Sequence, residues 1–176
     1  LDAPDEMIPA ALTYLGIDPN TNEKDDLEKA AAVLEAVRPH IQKFHSSEYI
    51  NALANGDICV AVGWSGDILQ ARDRAAEAAA GVDIVYNAPK EGALMWFDMM
   101  AIPVDAPNPE GAHQFLNFIL DAQNMAAQEF LDQALIEDPA IYPSPEALDA
   151  TYIKDPYPAK VQRVATRLWT RIKSGI

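Results

Sequence analysis

Two short motifs place a tryptophan and an aspartate close together beside apolar segments, and these residue types are suited to binding an organic cation. The first motif is residues 63–67, Gly-Trp-Ser-Gly-Asp, where glycines on both sides of a turn expose Trp64 and Asp67. The second places Trp96 and Asp98 within an apolar stretch, and an extended backbone would point both to the same face. A tryptophan ring attracts an ammonium group by about 0.5–2 kcal/mol, and an ionised carboxylate pairs with it. The two motifs therefore predict a site for an alkyl diamine.

The same residues also permit a purely structural interpretation. Trp64 and Trp96 would then be core residues, Asp67 would cap a helix, and Asp98 would pair with an arginine. A buried, unpaired carboxylate costs several kcal/mol, so Asp98 needs either a cationic partner or a hydrated site. The presence of two clusters of the same kind favours a ligand site.

The charge and the reactive residue types exclude several function classes. Among 176 residues, 13 are lysine or arginine and 27 are aspartate or glutamate, for a net charge of −14. Such a surface repels nucleic acid and attracts cations, so we expect no nucleic-acid partner. His40, His45 and His113 lack metal-ligand spacing, so we expect no metal. The sequence contains no glycine-rich phosphate loop, so we expect no other cofactor. Cys59 lies in an apolar run, which predicts a buried and unreactive thiol.

Strands alternate with helices along the chain, which indicates an α/β fold with a largely parallel sheet. Apolar segments predict strands at residues 57–63, 82–86 and 95–102, the first of them central and buried on both faces. Helical periodicity and caps predict helices at residues 9–15, 25–37, 46–53, 68–80, 109–120, 127–136 and 159–172.

No apolar run reaches the length of a membrane span, so no such span is expected. The chain opens without the basic and apolar regions of a secretory signal. A secreted protein whose signal peptide has been removed opens in the same way.

Residues 44–67 resemble the central signature of bacterial periplasmic putrescine/spermidine-binding proteins, the carriers of ABC transporters. The resemblance covers essentially the whole chain and is strongest to the putrescine-type branch. Further segments fit the same family in order, at residues 89–92, 97–103, 112–120, 141–143 and 170–175.

This resemblance implies a periplasmic binding protein-like type II fold, whose two lobes close on the ligand about a hinge. Residues 1–98 would form the first part of lobe two, residues 99–128 part of lobe one, and residues 129–176 the rest of lobe two. It implies a monomeric periplasmic protein, not an enzyme, that delivers a polyamine to the permease subunits of an ABC importer. Putrescine is the polyamine that the resemblance favours. The alternatives are a carrier of another small cationic or amino-acid ligand and an enzyme built on the same fold.

The resemblance also assigns the ligand residues. Trp64 and Asp67 match a ligand-stacking aromatic and an amine-binding acid, and Trp96 with Asp98 matches a second such pair. Asp5 lies where relatives carry glutamate, so the charge is kept on a shorter side chain.

This chain departs from the family pattern in its length. Relatives begin with a further half, which supplies another ligand loop, and they carry a polar segment that is missing before Ala127. We therefore expect a discontinuity between Met125 and Gln128. The resemblance also implies that a polar residue near Lys154 or Asp155 lines the pocket.

We expect Asp98→Asn in the full-length protein to lower amine affinity by one to two orders of magnitude, because a charge-assisted hydrogen bond contributes about 1.5–3 kcal/mol. The melting temperature should hold or rise, because an unliganded buried carboxylate is costly. Calorimetric titration with putrescine and thermal denaturation measure both quantities. Unchanged affinity with a lowered melting temperature would identify Asp98 as one member of an internal ion pair.

Overall fold

The computed structural model describes residues 1–97, 99–121 and 137–175, and the chain divides into two units. The first unit comprises Leu1–Met95 and Ser144–Ile176, and the second comprises Trp96–Pro143. The described elements are α1 (Pro4–Tyr14), α2 (Lys24–Val37), a 3-10 turn (Arg38–His40), α3 (Tyr49–Ala54), α4 (Ser65–Glu77), β1 (Ala93–Leu94), α5 (Pro109–Leu120), α6 (Pro145–Asp149), β2 (Thr151–Tyr152) and α7 (Ala159–Ser174).

The main core of the first unit lies between α1, α2 and α7. Each of these helices has an apolar stripe that leaves water only by packing against another helix. The predicted helices at residues 25–37 and 159–172 are confirmed, and Trp169 is a core residue. The buried side chains of this core are Ile8, Ala11, Leu12, Leu27, Ala30, Ala31, Leu34, Ala165, Leu168, Trp169 and Ile172.

Helix α1 begins earlier than the predicted start at Pro9. Pro4 occupies the first turn, where a proline loses no intrahelical hydrogen bond. Asp5 and Glu6 follow in the same turn, where the helix dipole favours negative charge. Gly16, with φ of 70°, follows the helix end. The early start is what brings the two acids to the N-terminal end of α1.

Helices α3 and α4 form a second apolar cluster in the same unit. Tyr49 and Leu53 from α3 pack against Ile68 and Ala71 from α4. The predicted helix at residues 68–80 is confirmed as α4, with a start at Ser65 instead. This earlier start places Asp67 inside the first turn of α4.

The predicted central strand at residues 57–63 is wrong, and so are the strand at 82–86 and, over its described residues, the strand at 95–102. In the described part of the chain, the sheet is a two-residue parallel ladder between β1 and β2. Residues 57–63 and 82–86 instead run without a ladder beside α3 and α4, where Ile58 and Ile84 face the second cluster. Val60 is 85% exposed. A strand needs a neighbour for its backbone groups, and the described residues supply none to these segments.

Cys59 shares this exposure, which corrects the expectation of a buried thiol. The expectation rested on the apolar neighbours of Cys59, and these neighbours are themselves partly in water.

In the second unit, α5 confirms the predicted helix at residues 109–120. The Asn108 side chain accepts a hydrogen bond from the Gly111 backbone N–H at 3.0 Å, as a helix N-cap does. Residues 100–102 and one face of α5 line an apolar cavity of about 290 Å³. The predicted helix at 127–136 and the expected discontinuity between Met125 and Gln128 lie outside the described residues.

The unit boundaries fall after Met95 and after Pro143. The lobe limits predicted from the sequence fall after residues 98 and 128, and both of these residues lie outside the described part of the chain. The assignment of residues to lobes therefore stays a prediction.

We expect Leu12→Ala to lower the free energy of unfolding by about 2–5 kcal/mol, because it leaves a cavity in the three-helix core. Leu12 is 0% exposed, whereas Leu15 at the end of the same helix is 39% exposed. Leu15→Ala is therefore the matched control, with a loss below about 1 kcal/mol. Denaturant unfolding of both variants measures the difference, and equal losses would contradict the assignment of this core.

Candidate functional site

Trp64 and Asp67 lie together at the N-terminal end of α4. Trp64 is the N-cap residue, with an extended backbone at φ −77° and ψ 144°, and Asp67 lies in the first turn. The alternative that Asp67 caps this helix is therefore wrong. Its carboxylate is placed where the helix dipole favours negative charge. Both side chains are partly exposed, so Trp64 is not a fully buried core residue.

Tyr49 holds both residues of the motif. Its hydroxyl donates a hydrogen bond to Asp67 Oδ2 at 2.5 Å and accepts one from the Trp64 backbone N–H at 3.4 Å. Burial, followed by the bond to Asp67, raises the pKa of Tyr49 above its ordinary value. The phenol consequently keeps its proton and remains a donor to the carboxylate.

Glu6 reaches the same motif from α1. Its Oε2 accepts a hydrogen bond from Trp64 Nε1 at 2.7 Å. Burial raises the pKa of Glu6, and Asp5 raises it further, while the Trp64 bond acts in the opposite direction. A chain of hydrogen bonds thus runs from Glu6 through Trp64 and Tyr49 to Asp67.

Glu6 and Asp67 share one property that matters for binding. Each has one oxygen held by the polar group of an aromatic residue. Within residues 1–97, 99–121 and 137–175, neither acid forms an ion pair with a lysine, arginine or histidine. The arrangement leaves two fixed negative charges beside an indole, which is suited to an organic cation.

Sequence reasoning selected Asp5 from α1, whereas the acid in contact with Trp64 is its neighbour Glu6. The exposed Asp5 accepts a hydrogen bond from Gln162 Nε2 at 2.9 Å. Successive helical residues point about 100° apart, so the two acids face different neighbours. The available signal was the Asp-Glu pair after Pro4, and choosing between its members required the packing of α1. Tyr49 had no comparable signal in the sequence.

Lys154 and Asp155 lie in the segment between β2 and α7. Lys154 Nζ is 3.7 Å from the centroid of the Tyr157 ring and donates to the Asp155 backbone oxygen. Burial lowers the pKa of Lys154 and raises that of Tyr157 to about 12. Asp5 is near enough to influence both pKa values. Lys154 therefore places a cation next to the acidic start of α1.

Of the second predicted pair, Trp96 and Asp98, the described residues include Trp96. Trp96 lies in the second unit and is 51% exposed. Asp98 lies outside the described residues. The role predicted for this pair stays a prediction.

The described residues show no group of three or more histidine, cysteine, aspartate or glutamate side chains that could hold a metal ion. Of the helices described, none combines the length and the apolar character needed to cross a membrane.

Comparison with known proteins adds a family and several relatives. Residues 2–156 match the family described as "Bacterial extracellular solute-binding protein". The chain is 48% identical to the putrescine-binding periplasmic protein SpuD of Pseudomonas aeruginosa, with 99% of this chain and 52% of SpuD covered. It is 45% identical to the putrescine-binding periplasmic protein PotF of Escherichia coli, with 99% and 51% covered. The chain thus spans about half the length of these relatives.

Solved structures show the same likeness. The spermidine/putrescine ABC transporter substrate-binding protein PotD from Streptococcus pneumoniae superposes with a TM-score of 0.81 at 25% identity, covering 99% of this chain and 56% of PotD. The TpPotD lipoprotein of Treponema pallidum gives a TM-score of 0.80 at 27% identity, with 99% and 56% covered. These matches support the periplasmic binding protein class of fold predicted from the sequence, although the described residues contain little sheet.

We expect Glu6→Gln to stabilise the ligand-free protein at neutral pH by an amount that disappears in acid. The pKa of folded Glu6 lies above its ordinary 4.5. Wild type therefore loses stability relative to the variant as the pH rises from that value through the raised pKa. Glutamine still accepts the Trp64 bond, so the contact itself is kept.

Equilibrium denaturation of wild type and variant between about pH 4 and pH 8 measures this linkage. Glu77→Gln, at the exposed end of α4, is the matched control. A stability difference between wild type and Glu6→Gln that does not vary with pH would contradict the burial of Glu6.

Proposed function

We propose that this protein, which belongs to the family of bacterial extracellular solute-binding proteins, captures a small polyamine and delivers it to an ABC importer. The ligand that we propose first is putrescine, carried in the periplasm, in line with the names of SpuD and PotF. The observation that carries the proposal is the pair Glu6 and Asp67, two acids held beside one indole and not ion-paired with a lysine, arginine or histidine among the described residues.

The chemistry of a diamine fits this pair. Each ammonium group needs a negative charge and hydrogen-bond acceptors, and the methylenes between them need apolar cover. Trp64 supplies a ring whose face attracts a cation by about 0.5–2 kcal/mol. Held carboxylates bind at a lower entropic cost than mobile ones, because their rotamers are already fixed before the ligand arrives.

The charge of the whole chain acts in the same direction. A net charge of −14 raises the local concentration of small cations around the protein and increases their rate of arrival. The same field disfavours an anionic ligand. A cationic substrate is therefore favoured both by the site and by the long-range field.

The remaining ligand assignments rest on the sequence. Trp96, Asp98 and Asp5 stay predictions, as does a contribution from Lys154 or Asp155. The monomeric state and the lack of a nucleic-acid partner are likewise predictions from charge and resemblance.

The comparisons favour neither of the two alternatives, a carrier of another small cationic or amino-acid ligand and an enzyme built on the same fold. The matched relatives are binding proteins of transport systems and not enzymes. A carrier of another small cation would use the same two acids, and a ligand series distinguishes it from a putrescine carrier.

We expect Asp67→Asn to lower polyamine affinity by one to two orders of magnitude, because a charge-assisted hydrogen bond contributes about 1.5–3 kcal/mol. Asparagine can still accept the Tyr49 hydroxyl, so the melting temperature should change little. Calorimetric titration of the full-length protein with putrescine, cadaverine, spermidine and spermine measures the effect.

Asp73→Asn, on the same helix with a side chain that is 68% exposed, is the matched control and should bind as wild type does. Full affinity in Asp67→Asn would remove Asp67 from the site. A wild-type protein that binds none of the four amines would refute the proposed function itself.

A further inference from the structure

Tyr49 is a buried residue whose polar end contacts the motif that contains Trp64 and Asp67. It begins α3, is 6% exposed, and packs its ring among Leu53, Ile68 and Ala71. A ring held by apolar neighbours cannot follow the carboxylate if Asp67 changes rotamer. The hydroxyl therefore presents a donor at a fixed position.

The bond from this hydroxyl determines how Asp67 can present itself. At 2.5 Å from Oδ2, the contact has the length of a charge-assisted O–H···O⁻ bond, the stronger kind of hydrogen bond. It occupies one carboxylate oxygen. Among the hydrogen bonds of the described residues, Oδ1 has no partner. The carboxylate thus keeps one oxygen for a ligand and cannot rotate freely.

Gly63 fixes the same contact from the backbone side. A Cβ at this position would lie 2.6 Å from Tyr49 Cε2 and 2.8 Å from Cζ, which is closer than such atoms approach. The ring of Tyr49 therefore occupies space that any side chain larger than that of Gly63 would fill, and from there its hydroxyl contacts Asp67. The hydroxyl also accepts the Trp64 backbone N–H, so one phenol holds both ends of the motif.

We propose that Tyr49 is a positioning residue that fixes Asp67 and thereby sets the spacing of ammonium groups that the site accepts. This inference rests on the proposed function. A carboxylate locked in one rotamer meets an ammonium group at one place, so a diamine that is one methylene longer or shorter loses the contact. A mobile carboxylate would follow either ligand.

The test is Tyr49→Phe in the full-length protein, titrated with 1,3-diaminopropane, putrescine and cadaverine. We expect affinity for the best-bound diamine to fall about three- to tenfold, the effect of one hydrogen bond. Affinity for the other two diamines should fall less, so the ratio of the best affinity to each of theirs moves toward one. A merely structural role would weaken all three diamines by the same factor.

Tyr157→Phe is the matched control. Among the described residues, the buried Tyr157 hydroxyl has no hydrogen-bond partner, so its removal should leave both affinity and ratio unchanged. Thermal denaturation of each variant shows whether the fold is retained.

Gly63→Ala provides a second variant that keeps the phenol but displaces its ring. It should compress the ratio as Tyr49→Phe does, and the double variant should add little to either, because both act on one contact. An unchanged ratio in both single variants would overturn the inference. Wild type that binds no diamine would instead refute the proposed function, so the two failures are distinguishable.

Discussion

The hydrogen bond between Trp64 and Glu6 is the contact on which the arrangement of the candidate site depends. It joins the three-helix core of α1, α2 and α7 to the start of α4, and its two residues are 58 positions apart in sequence. A partly buried carboxylate loses hydration, and the raised pKa of Glu6 reflects that loss. The indole N–H offsets part of it. Because the same indole stands at the N-cap of α4, the contact also sets where Asp67 and Tyr49 lie.

At this site an acidic side chain that is suited to ligand binding lowers the stability of the ligand-free fold. Without a ligand, the partly buried carboxylate of Glu6 has lost part of its hydration, and its raised pKa reflects that cost. An amine that pairs with this acid relieves this cost, and its binding free energy then adds to the stability of the folded protein. Acids elsewhere in the unit have the opposite arrangement. Asp2 accepts from Trp169 and Lys173, and these bonds lower its pKa.

The helices of this chain could be predicted from sequence far better than its strands. A helix satisfies its backbone hydrogen bonds within one segment, so periodicity and a cap such as Asn108 are enough to locate it. A strand depends on a neighbour that the local sequence does not specify. Residues 57–63 have the composition of a buried strand, yet the described residues place no strand beside them, and Val60 remains in water.

The sequence by itself determined most of the longer helices, the acidic and aromatic character of the motif at residues 63–67, and a family resemblance that the comparisons support. Those properties are local or are preserved in the order of residue types. The tertiary structure alone decided that Glu6 instead of Asp5 meets Trp64, and that the Tyr49 hydroxyl meets Asp67. Neighbouring acids on a helix are equivalent in composition and differ only in direction. Which direction faces α4 is set by how the three-helix core packs, because packing fixes the rotation of α1 about its axis.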